Sequence, residues 1–146
     1  MPRADRKNIT ETALIEERAV TAAATVLQGQ PVVLAAAGTV APATALTAPI
    51  YGIAYKTEDG TWPATGGDFI EVILLGSPCI VPCRVGTAAA VTAGLFVNVD
   101  GAWDGVKNYT AGVAATTTVI GMATQTGTVA GELVGVNLGA RPSTGT

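Results

Sequence analysis

Few side chains in this sequence have the chemistry or the spacing of a catalytic site. The sequence contains no histidine, so it lacks the usual general base near neutral pH and the imidazole on which catalytic triads depend. Its two serines, Ser77 and Ser143, do not lie in a Gly-x-Ser-x-Gly motif. The sequence also contains no glycine-rich phosphate-binding loop. Carboxylates and thiols are therefore the remaining candidate reactive groups.

Two pairs of carboxylates are close enough in sequence to act together. Asp68 with Glu71 is a candidate glycosidase-like pair, in which one carboxyl is the general acid and the other is the base or nucleophile. Asp100 with Asp104 and nearby carbonyl groups is a candidate Ca²⁺ site, although the spacing is not that of an EF-hand loop. The residue types favour neither assignment. We predict a protein without enzymatic activity that needs no metal and no cofactor.

The two cysteines, Cys79 and Cys83, are four positions apart in a candidate strand. At a rise of about 3.3 Å per residue, their side chains share one face but lie about 13 Å apart. That distance is too long for a disulfide unless Pro82 interrupts the strand. Zinc binding is disfavoured because there is no histidine and no second pair of cysteines. We predict two buried free thiols.

Composition limits the partners that this chain can bind. Its 146 residues fit one compact domain or two small repeats that share a core. Charged residues are 13% of the chain, about half the usual share of about 25%, so we expect other protein to cover much of the surface. The net charge of −3 disfavours nucleic-acid binding. Residues 19–55 carry no charge, but prolines, glutamines and glycines interrupt this stretch, and we predict no membrane-spanning segment.

The charges divide the chain into an arm and a body. Residues 1–18 contain eight of the 19 charged side chains, and they include no apolar region of a secretory signal. We predict an N-terminal arm over residues 1–18, a body over 19–140 and a flexible tail over 141–146. Asn8 with Glu11 can cap a short helix over residues 9–18, or the same residues can lie extended on a neighbouring surface. A third possibility is that the arm is only a mobile, solvated terminus.

The body has the pattern of an all-β protein. Short runs rich in Val, Ile, Leu and aromatic residues alternate with turn-forming glycines and aspartates. Asp59-Gly60 and Asp100-Gly101 suit tight hairpins, because both dipeptides tolerate positive φ angles. The predicted strands are residues 31–35, 51–55, 69–75, 79–85, 95–99, 119–123 and 132–138. We predict a compact β-barrel or sandwich.

Three sequence blocks recur in the same order. The segments beginning at Gly29, Gly52 and Gly67 resemble those beginning at Gly94, Gly121 and Gly131, with offsets of 65, 69 and 64 residues. We predict two copies of a three-stranded unit, over about residues 29–76 and 94–139, that close over a shared core. In this interpretation Phe69, Val72 and Leu74 are equivalent to Leu133, Val136 and Leu138.

The chain resembles the capsid cement, or head decoration, proteins of tailed bacteriophages. The resemblance covers about residues 18–139 and rests on the order and spacing of short motifs: Thr21-Ala22-Ala23 through Gly29-Gln30-Pro31-Val32-Val33, Tyr51-Gly52-Ile53-Ala54, Gly67-Asp68, Gly131-Glu132, and Val91-Thr92-Ala93-Gly94. Inserts at residues 56–65 and 103–109 depart from the family pattern. The resemblance implies a β-rich virion protein on the capsid exterior, made in the host cytoplasm. It implies binding to the major capsid protein, commonly as a homotrimer, and no catalysis. A tail- or fibre-associated β-domain is the alternative.

A binding role directs attention to apolar anchors. Aromatic residues dominate the binding energy of many protein interfaces. Three aromatic residues of this chain lie in predicted loops. They either anchor a partner or pack over the end of a barrel. The arm offers four aliphatic anchors, which contribute more than its exposed ion pairs do. The predicted interface residues are Ile9, Leu14, Ile15 and Val20 in and beside the arm, and Trp62, Trp103 and Tyr109 in the loops.

Overall fold

The computed structural model describes residues 13–43, 49–87, 90–100, 102, 104–109 and 119–141. Across these ranges the chain forms strands and no helix, so the predicted all-β fold is confirmed. The described strands are β1 (Ile15–Ala19), β2 (Thr25–Val26), β3 (Pro31–Leu34), β4 (Val40–Pro42), β5 (Gly52–Thr57), β6 (Ala64–Thr65), β7 (Phe69–Leu74), β8 (Ile80–Arg84), β9 (Phe96–Val99), β10 (Val106–Asn108), β11 (Gly121–Ala123) and β12 (Leu133–Asn137).

The strands form two five-stranded sheets with the same connectivity. The first sheet has the order β1-β7-β5-β3-β4, and the second, read in the matching direction, has the order β8-β12-β11-β9-β10. We call residues 13–76 unit 1 and residues 77–140 unit 2. Each strand of the first sheet has its counterpart at the same place in the second. The repeat predicted from sequence is therefore present in the strand order, and each unit has five strands in its sheet where three were predicted.

The pairing register supports the same equivalence. Ala19 lies opposite Phe69 in unit 1, and Arg84 lies opposite Leu133 in unit 2. The two partners are thus shifted by 65 and 64 residues, which are offsets seen in the sequence repeat. The predicted equivalence of residues 69, 72 and 74 with 133, 136 and 138 agrees with this register.

Each five-stranded sheet closes on itself. A parallel bridge joins Val20, just after β1, to Val40 at the start of β4. The equivalent bridge in unit 2 joins Val85 to Val106. These bridges connect the first strand of each sheet to the last one, so each unit is a small closed barrel whose side chains alternate between interior and exterior. The smaller ribbon of β2 with β6 belongs to unit 1.

The apolar residues form two clusters, which corrects the expectation of a single shared core. The interior of unit 1 is filled by its own cluster, Val20, Val26, Val32, Val40, Ala54, Ala64, Ile70 and Val72. The larger cluster fills unit 2 and extends across the junction to Ile53 and Ile73 on the outer face of the first sheet. A closed barrel buries its inward face without a partner, so only part of the apolar surface is shared between the units.

The termini of the predicted body need adjustment. Residues 15–18 of the predicted arm belong to β1, which pairs along its length with β7. These residues are therefore extended, but as a strand of the chain's own first sheet and not as an arm on a neighbouring surface. Residues 1–12 lie outside the described ranges. At the other end, Arg141 donates hydrogen bonds to the carbonyl groups of Val119 and Ile120, and residues 142–146 lie outside the description. Among the described residues there is no helix of the length and apolarity that a membrane crossing requires.

Candidate binding surfaces

Exposed apolar side chains recur at equivalent positions of the two units. Phe69 at the start of β7 is 49% exposed, and its counterpart Leu133 at the start of β12 is 41% exposed. Ile15 in β1 and Ile80 in β8 form a second pair, with 40% and 48% exposed. The other large apolar side chains exposed among the described residues are Leu14, Leu34, Leu95 and Val129. The repeat therefore duplicates an outer apolar surface as well as a fold.

A groove of about 280 Å³ runs along the junction of the units. Ile73 and Tyr55, on the outer face of the first sheet, contribute to its lining. Ile15 from unit 1 and Ile80 from unit 2 also line it, as do Ala13, Lys56, Glu71, Cys79 and Pro82. Most of the lining is apolar, so the groove suits an apolar side chain better than a charged ligand.

The units also meet at a glycine turn. Gly29 of unit 1, with a φ of +79°, accepts a hydrogen bond of 2.9 Å from the backbone amide of Arg84 in unit 2. A Cβ on Gly29 would lie 2.7 Å from that amide nitrogen and 2.8 Å from a methyl group of Leu133. Both the backbone conformation and the close approach require glycine at this position.

A charged cluster lies at one end of unit 1. Arg18 donates from Nη2 to Glu16 Oε1 at 2.8 Å and from Nη1 to the carbonyl of Gly38 at 3.2 Å. Tyr51 donates its hydroxyl to Glu16, and its ring lies 5.7 Å from the Arg18 guanidinium carbon. The hydrogen bond from Tyr51 and those from Arg18 lower the pKa of Glu16 below its ordinary value. At the equivalent positions unit 2 has the apolar residues Val81, Cys83 and Ile120, all buried.

The predicted anchor residues differ in how exposed they are in the structure. Leu14 and Ile15 are exposed, as an interface requires. Val20 is 1% exposed and packs inside unit 1, so it is a core residue and not a surface anchor. Trp62 is half-buried against the unit 1 cluster, and Tyr109 is half-buried with its amide bonded to the Phe96 carbonyl. Ile9 and Trp103 lie outside the described residues.

The carboxylate pairs do not form a catalytic or metal site in the described structure. Asp68 accepts hydrogen bonds from Thr65 at the preceding turn, and it lines a polar pocket that differs from the groove lined by Glu71. The proposed glycosidase-like pair is therefore not brought together. Among the described residues, no group of three or more acidic or cysteine side chains is arranged to hold a metal ion.

Asp100 and Asp104 instead stabilise the turn between β9 and β10. One oxygen of the buried Asp100 accepts hydrogen bonds from the amides of Asp104 and Gly105 at 3.1 and 3.2 Å. Asp104 accepts from both the amide and the hydroxyl of Thr87. Burial and the neighbouring carboxylate raise the pKa of Asp100, whereas the hydrogen bonds from Thr87 lower that of Asp104. Both carboxylates thus accept hydrogen bonds that stabilise turns.

The prediction of buried free thiols is confirmed. Cys79 and Cys83 are both buried and form no disulfide. Burial raises the pKa of both thiols, most strongly that of Cys83 inside unit 2. Neutral, buried thiols are poor nucleophiles, so they contribute packing.

Two surface features were missed from the sequence. Leu95 and Phe69 lie inside predicted strands, and residues of this type are ordinarily assigned to a core. For Phe69 the available signal is the alternation of side chains along a strand. Ile70 and Val72 are buried on the inner face, so Phe69, which precedes Ile70, belongs to the outer face. For Leu95 the signal was its position directly after a turn glycine, at the place that polar Gln30 occupies in the first copy.

A scan of the chain against models of known protein families finds no match, and a search of curated proteins finds no similar sequence.

Proposed function

We propose that this protein is a structural virion protein that binds the outer surface of a phage capsid and stabilises the mature head. It is made in the host cytoplasm, binds the major capsid protein as a homotrimer and catalyses no reaction. The tandem repeat carries this proposal: two closed barrels with the same strand order expose apolar residues, Ile15 and Ile80 at equivalent positions and Leu14, Leu34 and Val129 elsewhere. Repeated binding units suit a partner that is itself a repeating lattice.

Linkage explains how such binding stabilises a head. A protein that binds the assembled shell and not its dissociated subunits shifts the equilibrium toward the shell. The proposed surface needs no reactive group, and the chain has only 13% charged residues. Low charge reduces the cost of desolvating the surface when it is covered. The family resemblance given by the sequence points in the same direction.

Binding to purified heads tests the proposal. Expanded, empty heads of a phage that encodes this protein are mixed with it, and bound protein is measured by co-sedimentation and located by cryo-electron microscopy. We expect regular density on the outer surface and a higher disruption temperature for the decorated heads. Unexpanded heads are the control for recognition of the mature lattice. Absence of binding to expanded heads would refute the proposal.

The same images distinguish the alternative. Density on tails or fibres of whole particles, with bare heads, would favour a tail- or fibre-associated β-domain. A double substitution, Asp68→Asn with Glu71→Gln, removes both candidate carboxylates of the enzymatic alternative, and head binding by this variant tests whether binding depends on them. We expect it to bind heads as the unmodified protein does.

A further inference from the structure

The contact between the two units has two dissimilar halves, and the chain holds a second copy of each. One half is the glycine turn of unit 1, residues 27–30, which presents the Gly29 carbonyl. The other half is the face of unit 2 formed by Arg84 and Leu133, which face each other across β8 and β12. We call these the docking turn and the docking face.

The second docking turn, residues 92–95, has the conformation of the first. Gly94 has a φ of +88° and donates to the Ala123 carbonyl at 2.8 Å, as Gly29 with a φ of +79° donates to Ala54 at 2.7 Å. A Cβ on Gly94 would meet no atom within 4 Å, so the space that Arg84 fills at Gly29 is empty here. The second turn is therefore formed but has no partner among the described residues.

The second docking face, Ala19 with Phe69, is also formed and open. Val20 donates to Asp68 at 2.8 Å, as Val85 donates to Glu132 at 2.9 Å in unit 2. Because hydrogen-bonded and non-bonded pairs alternate along an antiparallel ladder, the amides of Ala19 and Arg84 both point away from the neighbouring strand. The amide of Arg84 donates to Gly29. No carbonyl in the described ranges accepts from the amide of Ala19.

We propose that the 92–95 turn of one molecule docks on the Ala19–Phe69 face of a second molecule. This repeats between copies the contact that joins the units within one chain, and Ala19 donates to the Gly94 carbonyl. The inference rests on the self-association in the proposed function and names the surfaces that mediate it. Because the two halves differ, the contact is head-to-tail, and such a contact gives a ring if the rotation between copies closes and an open filament if it does not. The homotrimer of the proposed function is the closed form. Three copies give a ring of six similar units.

The contact within the chain and the proposed contact between copies have different residues at equivalent positions, and these differences support the proposed contact. Leu95, which is 48% exposed, replaces the buried Gln30, and Phe69 replaces Leu133, so the centre of the intermolecular contact is more apolar. At the equivalents of Ile53 and Ile73, which are buried in the joint cluster, unit 2 has Met122 and Asn137, so this part of the proposed contact is more polar than its counterpart within the chain. The exposed Phe69 and Leu95 are therefore the apolar anchors of the proposed contact.

Charge substitutions at the two open surfaces test the proposal without capsids. The full chain is studied by sedimentation velocity over a concentration series, with Phe69→Lys and Leu95→Lys as variants. Val129→Lys is the control, because Val129 is highly exposed and belongs to neither surface. We expect the first two variants to associate about tenfold more weakly or worse, since interface anchors contribute more than about 1.4 kcal/mol, and the control to associate normally. Circular dichroism verifies the fold of each variant.

Mixing the two variants distinguishes a head-to-tail contact from a two-fold one. The Phe69→Lys protein keeps an intact turn, and the Leu95→Lys protein keeps an intact face, so we expect the mixture to form a one-to-one pair and grow no further. A two-fold contact would not be restored by mixing. An unmodified protein that stays monomeric up to its solubility limit, or folded variants that associate normally, would overturn the inference. Since no shells are present, these results are independent of capsid binding.

Discussion

Gly29 and Gly94 are equivalent residues with the same backbone conformation and different surroundings. An alanine at either position has the cost of a left-handed conformation, about 1 to 2 kcal/mol. At Gly29 the added methyl group also collides with Arg84 and Leu133. We therefore expect Gly29→Ala to lower the free energy of unfolding by about 1 to 3 kcal/mol more than Gly94→Ala does. Urea denaturation of both variants measures the difference.

The comparison isolates the contact between the units, because the conformational cost cancels. Measurements at low protein concentration remove any contribution of association through the 92–95 turn. If both variants lost the same free energy of unfolding, Arg84 and Leu133 would not lie in close contact with Gly29 in solution.

Glu16 gives unit 1 a dependence on pH. Its pKa in the folded protein is lowered from the ordinary 4.5 by the hydrogen bonds from Tyr51 and Arg18. A lowered folded pKa contributes stability that is fully present above the unfolded pKa and is lost as pH falls through the folded pKa. We expect the stability advantage of the unmodified protein over Glu16→Gln to be constant near neutrality and to shrink below about pH 4.5.

Denaturation of both proteins between pH 7 and pH 3 measures this advantage, with Glu17→Gln as the control at an exposed neighbour. An advantage that does not change with pH would mean that the Glu16 carboxylate forms no special interaction in the folded state.

At the scale of elements, the long apolar strands were predictable and the short ones were not. All seven predicted runs correspond to strands β3, β5, β7, β8, β9, β11 and β12. Strands β2, β4, β6 and β10 have only two or three residues, which is too few for a period-two pattern to be distinguished from a loop. Strand β11 is as short, but Val119 and Ile120 directly before it lengthen its apolar run. Tertiary pairing, such as Val20 with Val40, creates these short elements and cannot be read locally.

Strand β1 was assigned to the arm because of its charges. Glu16 and Arg18 alternate with Ile15 and Glu17, and this mixture resembles a solvated terminus. In the structure Glu16 and Arg18 neutralise each other and bond to Tyr51, which is 33 residues beyond Arg18. The candidate surfaces were predictable in part: Leu14 and Ile15 were identified, whereas Leu95 and Phe69 needed the fold to place them.

Arg141, at the C-terminal end of the described chain, is hydrogen-bonded to unit 2. Arg141 Nη1 donates to the carbonyl of Ile120 at 2.9 Å, just before β11. We expect Arg141→Ala to lower the free energy of unfolding by about 1 kcal/mol, the usual net contribution of an intramolecular hydrogen bond. Chemical denaturation checks this, and a chain ending at Arg141 is the control and should be unaffected. An unchanged free energy for Arg141→Ala would make this residue part of a dispensable tail.

For the whole molecule, the two units have kept their topology and diverged where their environments differ. Unit 1 has a charged cluster at the position where unit 2 has Val81, Cys83 and Ile120. It also has the apolar outer face that receives unit 2, with Ile53 and Ile73 in the joint cluster. The two units thus present equivalent surfaces, and the residues that differ between them accompany the difference between the surface covered within the chain and the surface that is open.

Strand β1 begins at Ile15, so two deletions of different length separate the N-terminal residues from the barrel of unit 1. Deleting residues 1–12 removes no described strand, so we expect the protein to keep its circular dichroism and its free energy of unfolding. Deleting residues 1–18 removes most of β1, which covers Ile70 and Val72 through its pairing with β7. This longer deletion breaks the closed sheet of unit 1 and is expected to unfold that unit. The pair of deletions thus separates a binding defect from a folding defect.

On capsids, the shorter deletion is the informative one. An extended segment of 12 residues spans about 40 Å at about 3.3 Å per residue, enough to reach a neighbouring subunit. Ordering it costs about 1 to 2 kcal/mol per residue in backbone entropy, so apolar anchors such as Ile9 must offset that cost. We expect deletion of residues 1–12, and more mildly Ile9→Ala, to lower occupancy on expanded heads, measured by co-sedimentation. Full occupancy and unchanged head stability after this deletion would assign capsid binding to the exposed surfaces of the two units.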